Sequence, residues 1–198
     1  MYLDGIGVIE SLILDMDGVL WRENAPIGDL PGTFKRFEAL GLKVILATNN
    51  GTRTPEQYLE KMAGFGVPLQ KSQVVNSAIA LAHLLKKRFP GGGPVYILGE
   101  IGLVTALESA GFYHSEENVL AVIGSMDRKI DFWKLKQATL LIRAGAPFYF
   151  TNPDRTYPTP EGLIPGAGSI LAALEAATDV KAVIAGKPSP ALFEFALE

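Results

Sequence analysis

Two acids, one residue apart, close an apolar run: Leu12, Ile13 and Leu14 lead directly into Asp15, Met16, Asp17 and Gly18. Two further apolar runs end in polar residues. Lys43–Ala47 stops at Thr48, Asn49 and Asn50, and Lys181–Gly186 stops at Lys187. Hard carboxylate oxygens suit a magnesium ion, while an ammonium, a hydroxyl and backbone N–H groups suit the oxygens of a phosphate. Metal and lysine together would spread the charge that develops in phosphoryl transfer. The chain has no cysteine, and its two histidines are His83 and His114, so nucleophile and general acid–base come from other residue types. A carboxylate can attack phosphorus to give an aspartyl phosphate. Asp15, at the strand end and the more rigidly held, is the nucleophile candidate. Asp17, on the turn just beyond, is placed to give a proton to the leaving group and take one from water. Gly18 lets the backbone swing away sharply after them.

Each piece alone has a plainer reading. An Asp-x-Asp-Gly string is often a polar turn, Thr-Asn-Asn-Gly is more often a turn than a site, and a lone lysine usually sits on the surface. A calcium hand is excluded, because Gly18 falls two places too early and Pro26 stands where the loop needs glutamate. Joint occurrence at three strand ends is what raises the functional reading, since parallel α/β sheets bind ligands at the carboxyl ends of their strands.

The elements that must position these residues are legible as alternation. Short apolar, β-branched runs begin at Val8, Lys43, Gln73, Val95, Leu120, Pro147 and Lys181, and segments of helical spacing separate them. That order predicts an α/β fold with a parallel sheet covered by helices. Thr54-Pro55 and Ser189-Pro190 read as helix starts, and Gly41, Gly66, Gly111 and Gly145 as helix stops. The runs ending at Asp15, Thr48 and Gly186 are apolar on both faces, which predicts central strands. Phe89–Pro94, with three consecutive glycines, reads as a domain break, and 152–168 as a long irregular loop.

The motifs Leu12–Trp21, Val44–Thr54 and Ala185–Pro190 resemble the first three signatures of the haloacid dehalogenase superfamily of phosphohydrolases, in its NagD-like, p-nitrophenylphosphatase-like branch (type IIA). The resemblance implies a Rossmann-like core over residues 1–90 and 180–198, with a large α/β cap inserted as residues 91–179. It implies Asp15 as nucleophile, Asp17 as general acid–base, Thr48 as phosphate ligand and Lys187 as the charge-neutralising lysine. Gly18, Asn49 and Asn50 join Thr48 and Lys187 around the phosphate, and Asp15 with the backbone carbonyl of Asp17 holds Mg2+. The cap segments expected to face substrate carry Asp127, Arg128, Asn152 and Asp154. The implied substrate is a small phosphorylated metabolite: a sugar phosphate, phosphoglycolate, a nucleoside monophosphate, pyridoxal phosphate or an aryl phosphate. Dehalogenation by the same nucleophile fits less well, because Thr48 and Lys187 suit phosphate. Caps of this kind often pair, so a homodimer through the cap is an expectation.

One part of the family pattern is not in the sequence. An acidic loop after the next strand would supply the remaining magnesium carboxylate, and residues 189–198 read as the helix leading to that strand. The expectation is therefore a truncated core in which the Ser11–Asp15 strand becomes an apolar edge. It keeps a second reading open, a catalytically silent phosphate-binding or interaction fragment.

Bulk properties narrow the rest. Eighteen basic against 21 acidic residues give a net charge of −3, with no basic run longer than Lys86-Lys87-Arg88, so no nucleic-acid footprint is expected. Absence of cysteine excludes disulfides and thiolate zinc sites. No signal-peptide pattern and no apolar stretch of membrane-spanning length is present, which makes a soluble, cytoplasmic protein the default. Trp21 and His83 read as packing residues, His114 has no partner at ligand spacing, and Gly166–Gly168 reads as a helix entry.

Overall fold

The computed structural model describes residues 2, 3 and 7–197. These fall into two compact units, one of residues 1–48 and 55–75 and one of 49–54 and 76–198. In the first, β1 (Tyr2–Leu3) and β2 (Gly7–Val8) form a short antiparallel pair. After them come β3 (Ser11–Leu14), β4 (Trp21–Arg22), β5 (Ala25–Pro26), α1 (Leu30–Ala39), β6 (Lys43–Thr48), α2 (Pro55–Gly64) and β7 (Val74–Asn76). β6 is the middle strand of a sheet ordered β3-β6-β7, with β3 parallel to it and Leu12 and Leu14 opposite Val44 and Leu46. Asp29 caps α1 by accepting from the Gly32 N–H at 2.9 Å. α2 starts at Pro55, as the Thr54-Pro55 pair predicts. Met16, Leu20, Trp21, Leu46, Tyr58 and Met62 form the centre of this unit's core.

The second unit is a five-stranded, all-parallel sheet. Its strands are β8 (Gly93–Leu98), β9 (Phe112–His114), β10 (Val122–Gly124), β11 (Phe148–Phe150) and β14 (Val183–Ile184), in the order β14-β11-β10-β8-β9. Its helices are α3 (Ser77–Arg88), α4 (Ile101–Ser109), α5 (Phe132–Arg143), α6 (Ala167–Thr178) and α7 (Pro190–Leu197). Strand periodicity sorts the core into two layers. Val95, Ile123 and Tyr149 pack with Ala78, Leu81 and Leu85 of α3 and Leu103 and Leu107 of α4. Their neighbours Tyr96, Leu98, Val122, Phe148 and Phe150 pack on the opposite face with Ala138 and Ile142 of α5 and Leu171 and Leu174 of α6. A sheet between two helical layers is the helix-covered parallel sheet that the alternation predicts. Gly41, Gly66, Gly111 and Gly145 all carry positive φ just past helix ends. No helix among the described residues is long and apolar enough to cross a membrane.

Four expectations differ from what is found. β14 is an edge strand rather than a central one, since among the described strands it pairs only with β11, whereas β3, pairing only with β6, is the apolar edge expected of a truncated core. The packing units do not follow the expected 1–90/91–179/180–198 division. α3 buries its apolar face on the β8–β10 sheet, and β14 completes that sheet, so both belong with the residues between them. The three glycines at 91–93 are not a linker. Gly92 and Gly93 have φ of 70° and 131° and turn the chain tightly from α3 into β8, with Gly93 N–H donating to the Gly111 carbonyl at 3.0 Å. Within the 152–168 stretch lies an antiparallel hairpin, β12 (Thr156–Thr159) and β13 (Gly162–Pro165). Its prolines spoke against strands.

Tyr96 lies buried in the β8 layer, and its hydroxyl donates to the Lys134 carbonyl at 3.2 Å. Burial, and then the charges of Glu116, Asp131 and Asp127, push its phenol up to about 12. Unfolded tyrosine ionises near ~10. The folded chain therefore keeps a proton that the unfolded chain releases, and stability complete below about pH 10 is lost as pH rises through about 12. Urea melts at pH 9 and pH 11 should show a steeper alkaline loss in the wild type than in Tyr96→Phe; equal losses would sink this assignment.

Candidate active site

Beyond the end of β3 burial alternates over three residues: Asp15 exposed, Met16 fully buried, Asp17 exposed. Met16 is the anchor, and its burial turns both carboxylates outward on the same side. The parallel register with Leu14 opposite Leu46 brings the carboxyl ends of β3 and β6 level, so Thr48 ends the strand next to the one carrying the acids. Gly18 follows with φ of 82°, and its N–H donates to the Trp21 carbonyl at 2.8 Å, closing the turn. Trp21, read from sequence as a packing residue, is buried as expected. It also donates its indole N–H to Asp17 Oδ1 at 2.8 Å, which spacing alone did not reveal.

In the second unit, polar residues gather at the carboxyl ends of β8, β10, β11 and β14, and their hub is Asn49. Its Oδ1 accepts from the Lys187 N–H at 2.7 Å. Its Nδ2 donates to the Lys187 carbonyl and to Asp154 Oδ2, both at 3.0 Å. Its own carbonyl accepts from Ser77 Oγ at 2.6 Å and Asn152 Nδ2 at 2.8 Å. An amide has one acceptor and two donor hydrogens, and here all are engaged. Asn49 was expected to contact phosphate; its side chain instead fixes the peptide from which Lys187 projects. Asn50 turns inward too, its Oδ1 accepting from Thr52 N–H and Oγ1 at 3.1 and 2.7 Å.

The 49–54 segment is held along its length. Asn76, fully buried, caps α3 through the Ile79 N–H and donates to the Arg53 carbonyl at 2.9 Å. Gly102 N–H donates to the Thr52 carbonyl at 3.3 Å, and a Cβ on Gly102 would run into the Gly51 carbonyl. A Cβ on Gly186 would meet the Thr151 carbonyl at 2.5 Å and Asn49 Oδ1 at 2.7 Å. Asn76 and Ser77 were not singled out from the sequence, although an asparagine directly before a helical run is a legible cap.

The remaining residues expected to face substrate divide. Asn152 and Asp154 stand at the end of β11, joined by the Asp154 N–H to Asn152 Oδ1 bond of 3.1 Å. Asp127 turns inward: it is buried, its Oδ1 accepts from the Lys129 N–H at 2.8 Å, and its Oδ2 pairs with Lys134 at 2.7 Å. That is a structural pairing, because a carboxylate out of water needs its charge matched. Arg128 stays exposed, gripped by Glu100 through its N–H at 3.1 Å and its guanidinium at 2.6 Å. Its hydrogen bond to the Tyr157 hydroxyl is the largest cause that holds the guanidinium above its ordinary range; burial opposes it, and the Glu100 charge adds to it.

Among the described residues no three acidic or histidine side chains gather into a metal cage. Magnesium requires less: it is commonly bound by one or two carboxylates, with water and substrate phosphate completing the shell. The outward carboxylate of Asp15, with the backbone carbonyl of Asp17 beside it, suits that donor set.

Residues 12–113 match the model of the haloacid dehalogenase-like hydrolases. An acid sugar phosphatase of Staphylococcus aureus is 35% identical over 190 residues, which is 96% of this chain and 73% of that protein. A 4-nitrophenylphosphatase of Thermotoga maritima superposes with a TM-score of 0.89 at 33% identity, covering 94% of this chain and 71% of its own. A glycerol phosphate phosphatase of Mycobacterium tuberculosis, crystallised with magnesium, gives a TM-score of 0.87 at 32% identity, over 94% of this chain and 56% of its own.

Asn49→Ala removes three side-chain hydrogen bonds and should cost about 1–3 kcal/mol in urea melts, the price of leaving the Lys187 peptide without partners. Asn49→Asp should be worse near neutral pH, because it replaces both donors with an acceptor facing Asp154 and a carbonyl. An Asp variant as stable as the Ala variant would remove Asn49 from its place as hub.

Proposed function

The chain belongs to the haloacid dehalogenase-like hydrolases and is a phosphoric monoester hydrolase of that type, and we propose that it cleaves a small phosphomonoester through an aspartyl phosphate on Asp15. The observation that carries the reading is the pair of outward carboxylates on either side of buried Met16, at the carboxyl end of the strand beside Thr48. In this reading an Asp15 oxygen attacks phosphorus as the bond to the leaving oxygen breaks, and Asp17 gives that oxygen its proton, releasing the alcohol. Asp17, now a carboxylate, takes a proton from a water that attacks the acyl phosphate, which frees inorganic phosphate and restores both acids. The Thr48 hydroxyl and the Lys187 ammonium bind the non-bridging oxygens, and Asn49 orients Lys187 through its peptide. Mg2+, bound by the Asp15 carboxylate and the Asp17 backbone carbonyl, would supply charge neutralisation at the phosphoryl group. Asn152, Asp154 and Arg128, at the strand ends of the second unit, would select the remainder of the substrate. The relatives' substrates, a sugar phosphate, an aryl phosphate and glycerol phosphate by their names, support a small alcohol as leaving group.

Hydrolysis of p-nitrophenyl phosphate with magnesium should fall by more than about 10³-fold in Asp15→Asn, as expected when a nucleophile is removed. Enzyme quenched in acid during turnover should carry a hydroxylamine-labile phosphoryl group, absent from that variant. Turnover that survives Asp15→Asn would overturn the assignment. A wild-type chain that binds phosphate without turnover would favour the silent reading.

A further inference from the structure

We propose that Trp21 is a positioning residue for Asp17: its indole N–H, strengthened as a donor by the Lys61 ammonium on its ring face, holds the carboxylate ready for proton transfer. The proposal rests on the reading of Asp17 as the acid that serves the leaving group.

An exposed aspartate on a turn ordinarily samples several rotamers. Asp17 is exposed, yet Oδ1 is tied at 2.8 Å to a donor that itself cannot move. Trp21 is only 1% exposed. Its ring stacks on Tyr58 at 6.4 Å and packs against Phe65 at 6.0 Å. Backbone geometry presses the two residues together: Gly18 N–H and Leu20 N–H donate, at 2.8 Å each, to the carbonyls of Trp21 and Met16. An indole N–H can only donate, and when buried it needs an acceptor, so ring and carboxylate fix one another.

Lys61 adds a charge to this pair. Its Nζ lies 4.4 Å from the centroid of the Trp21 ring, and it is held there by donating to the Glu23 carbonyl at 2.5 Å. A cation on the ring face draws electron density from the indole and makes its N–H a stronger donor. The sequence Lys61, Trp21, Asp17 therefore runs cation, polarised ring, anion. With Oδ1 held, Oδ2 is the oxygen presented to a leaving group.

Leaving-group chemistry separates this role from plain packing. p-Nitrophenolate departs with little need of a proton, whereas the alkoxide of glycerol phosphate has to be protonated as it leaves. The ratio of kcat/KM for glycerol phosphate to that for p-nitrophenyl phosphate isolates the step, because kcat/KM ends at formation of the phosphoenzyme. Trp21→Phe keeps an aromatic ring but loses the N–H, and should lower that ratio about tenfold, a part of what a general acid contributes. Lys61→Met should lower it by less, about twofold to threefold. An equal loss on both substrates would show Trp21 to be structural and overturn the proposal.

A second measurement does not depend on turnover. The chain has two tryptophans, and Trp133 is exposed. In the proton NMR spectrum the indole N–H of Trp21 should shift upfield and exchange faster in Asp17→Ala, and shift less in Lys61→Met, while that of Trp133 stays in place. An unmoved Trp21 resonance would overturn the grip on Asp17. A wild type that turns over neither substrate would remove the phosphatase reading and the catalytic part of this proposal, while the resonance still decides whether Trp21 holds the acid.

Discussion

The Asn49 amide grips both polar ends of the Lys187 peptide, N–H and C=O, although the two residues lie 138 positions apart in sequence. Much of the second unit's polar rim depends on that pair of bonds. Through its other hydrogen Asn49 reaches Asp154, and through its carbonyl it reaches Ser77 and Asn152. One short loop thus ties the ends of β11 and β14 to the start of α3. Because all but the Asp154 contact are half-buried and each polar atom of the Asn49 side chain is matched, the group is stable as a set and costly to disturb singly. Glycine is required where the backbones meet, at Gly102 and Gly186, since a side chain would occupy the space of the hydrogen-bonding carbonyls.

The first unit solves a different problem by a related device. Two carboxylates have to face outward from the end of an apolar strand without swinging freely. Buried Met16 sets the side, and the turn at Gly18 brings Trp21 back onto Asp17. In both units a residue of catalytic type is held by a neighbour that has no part in bond making.

Much of this was legible in the sequence. Each of the seven apolar runs contains a strand, Pro55 and Pro190 open helices, and four glycines close them, because hydrophobic period and backbone sterics are local properties. The position of Asp15, Asp17 and Thr48 at the carboxyl ends of two strands was legible in the same way. What spacing does not encode is the partner. Asparagine announces donors and an acceptor, but nothing near Asn49 in sequence says that Lys187's peptide will use them. Asp127 was placed toward substrate, and its pairing with Lys134 turned it inward. The β12–β13 hairpin was hidden because Pro158 and Pro165 sit inside its strands, tolerable in a ribbon whose two strands pair, among the described residues, only with each other.

The chain passes between its units three times, after Thr48, after Thr54 and after Val75. Neither unit is therefore a continuous stretch of sequence, and the passage implies an order of assembly. If the first unit forms alone, residues 49–54 are merely a six-residue loop between β6 and α2, cheap to close. If the second forms alone, it has to capture that segment while residues 55–75 hang from it as an unfolded loop, a larger entropic cost. Chain connectivity thus favours nucleation around β3, β6 and α2, with the strap carrying Asn49 seated last.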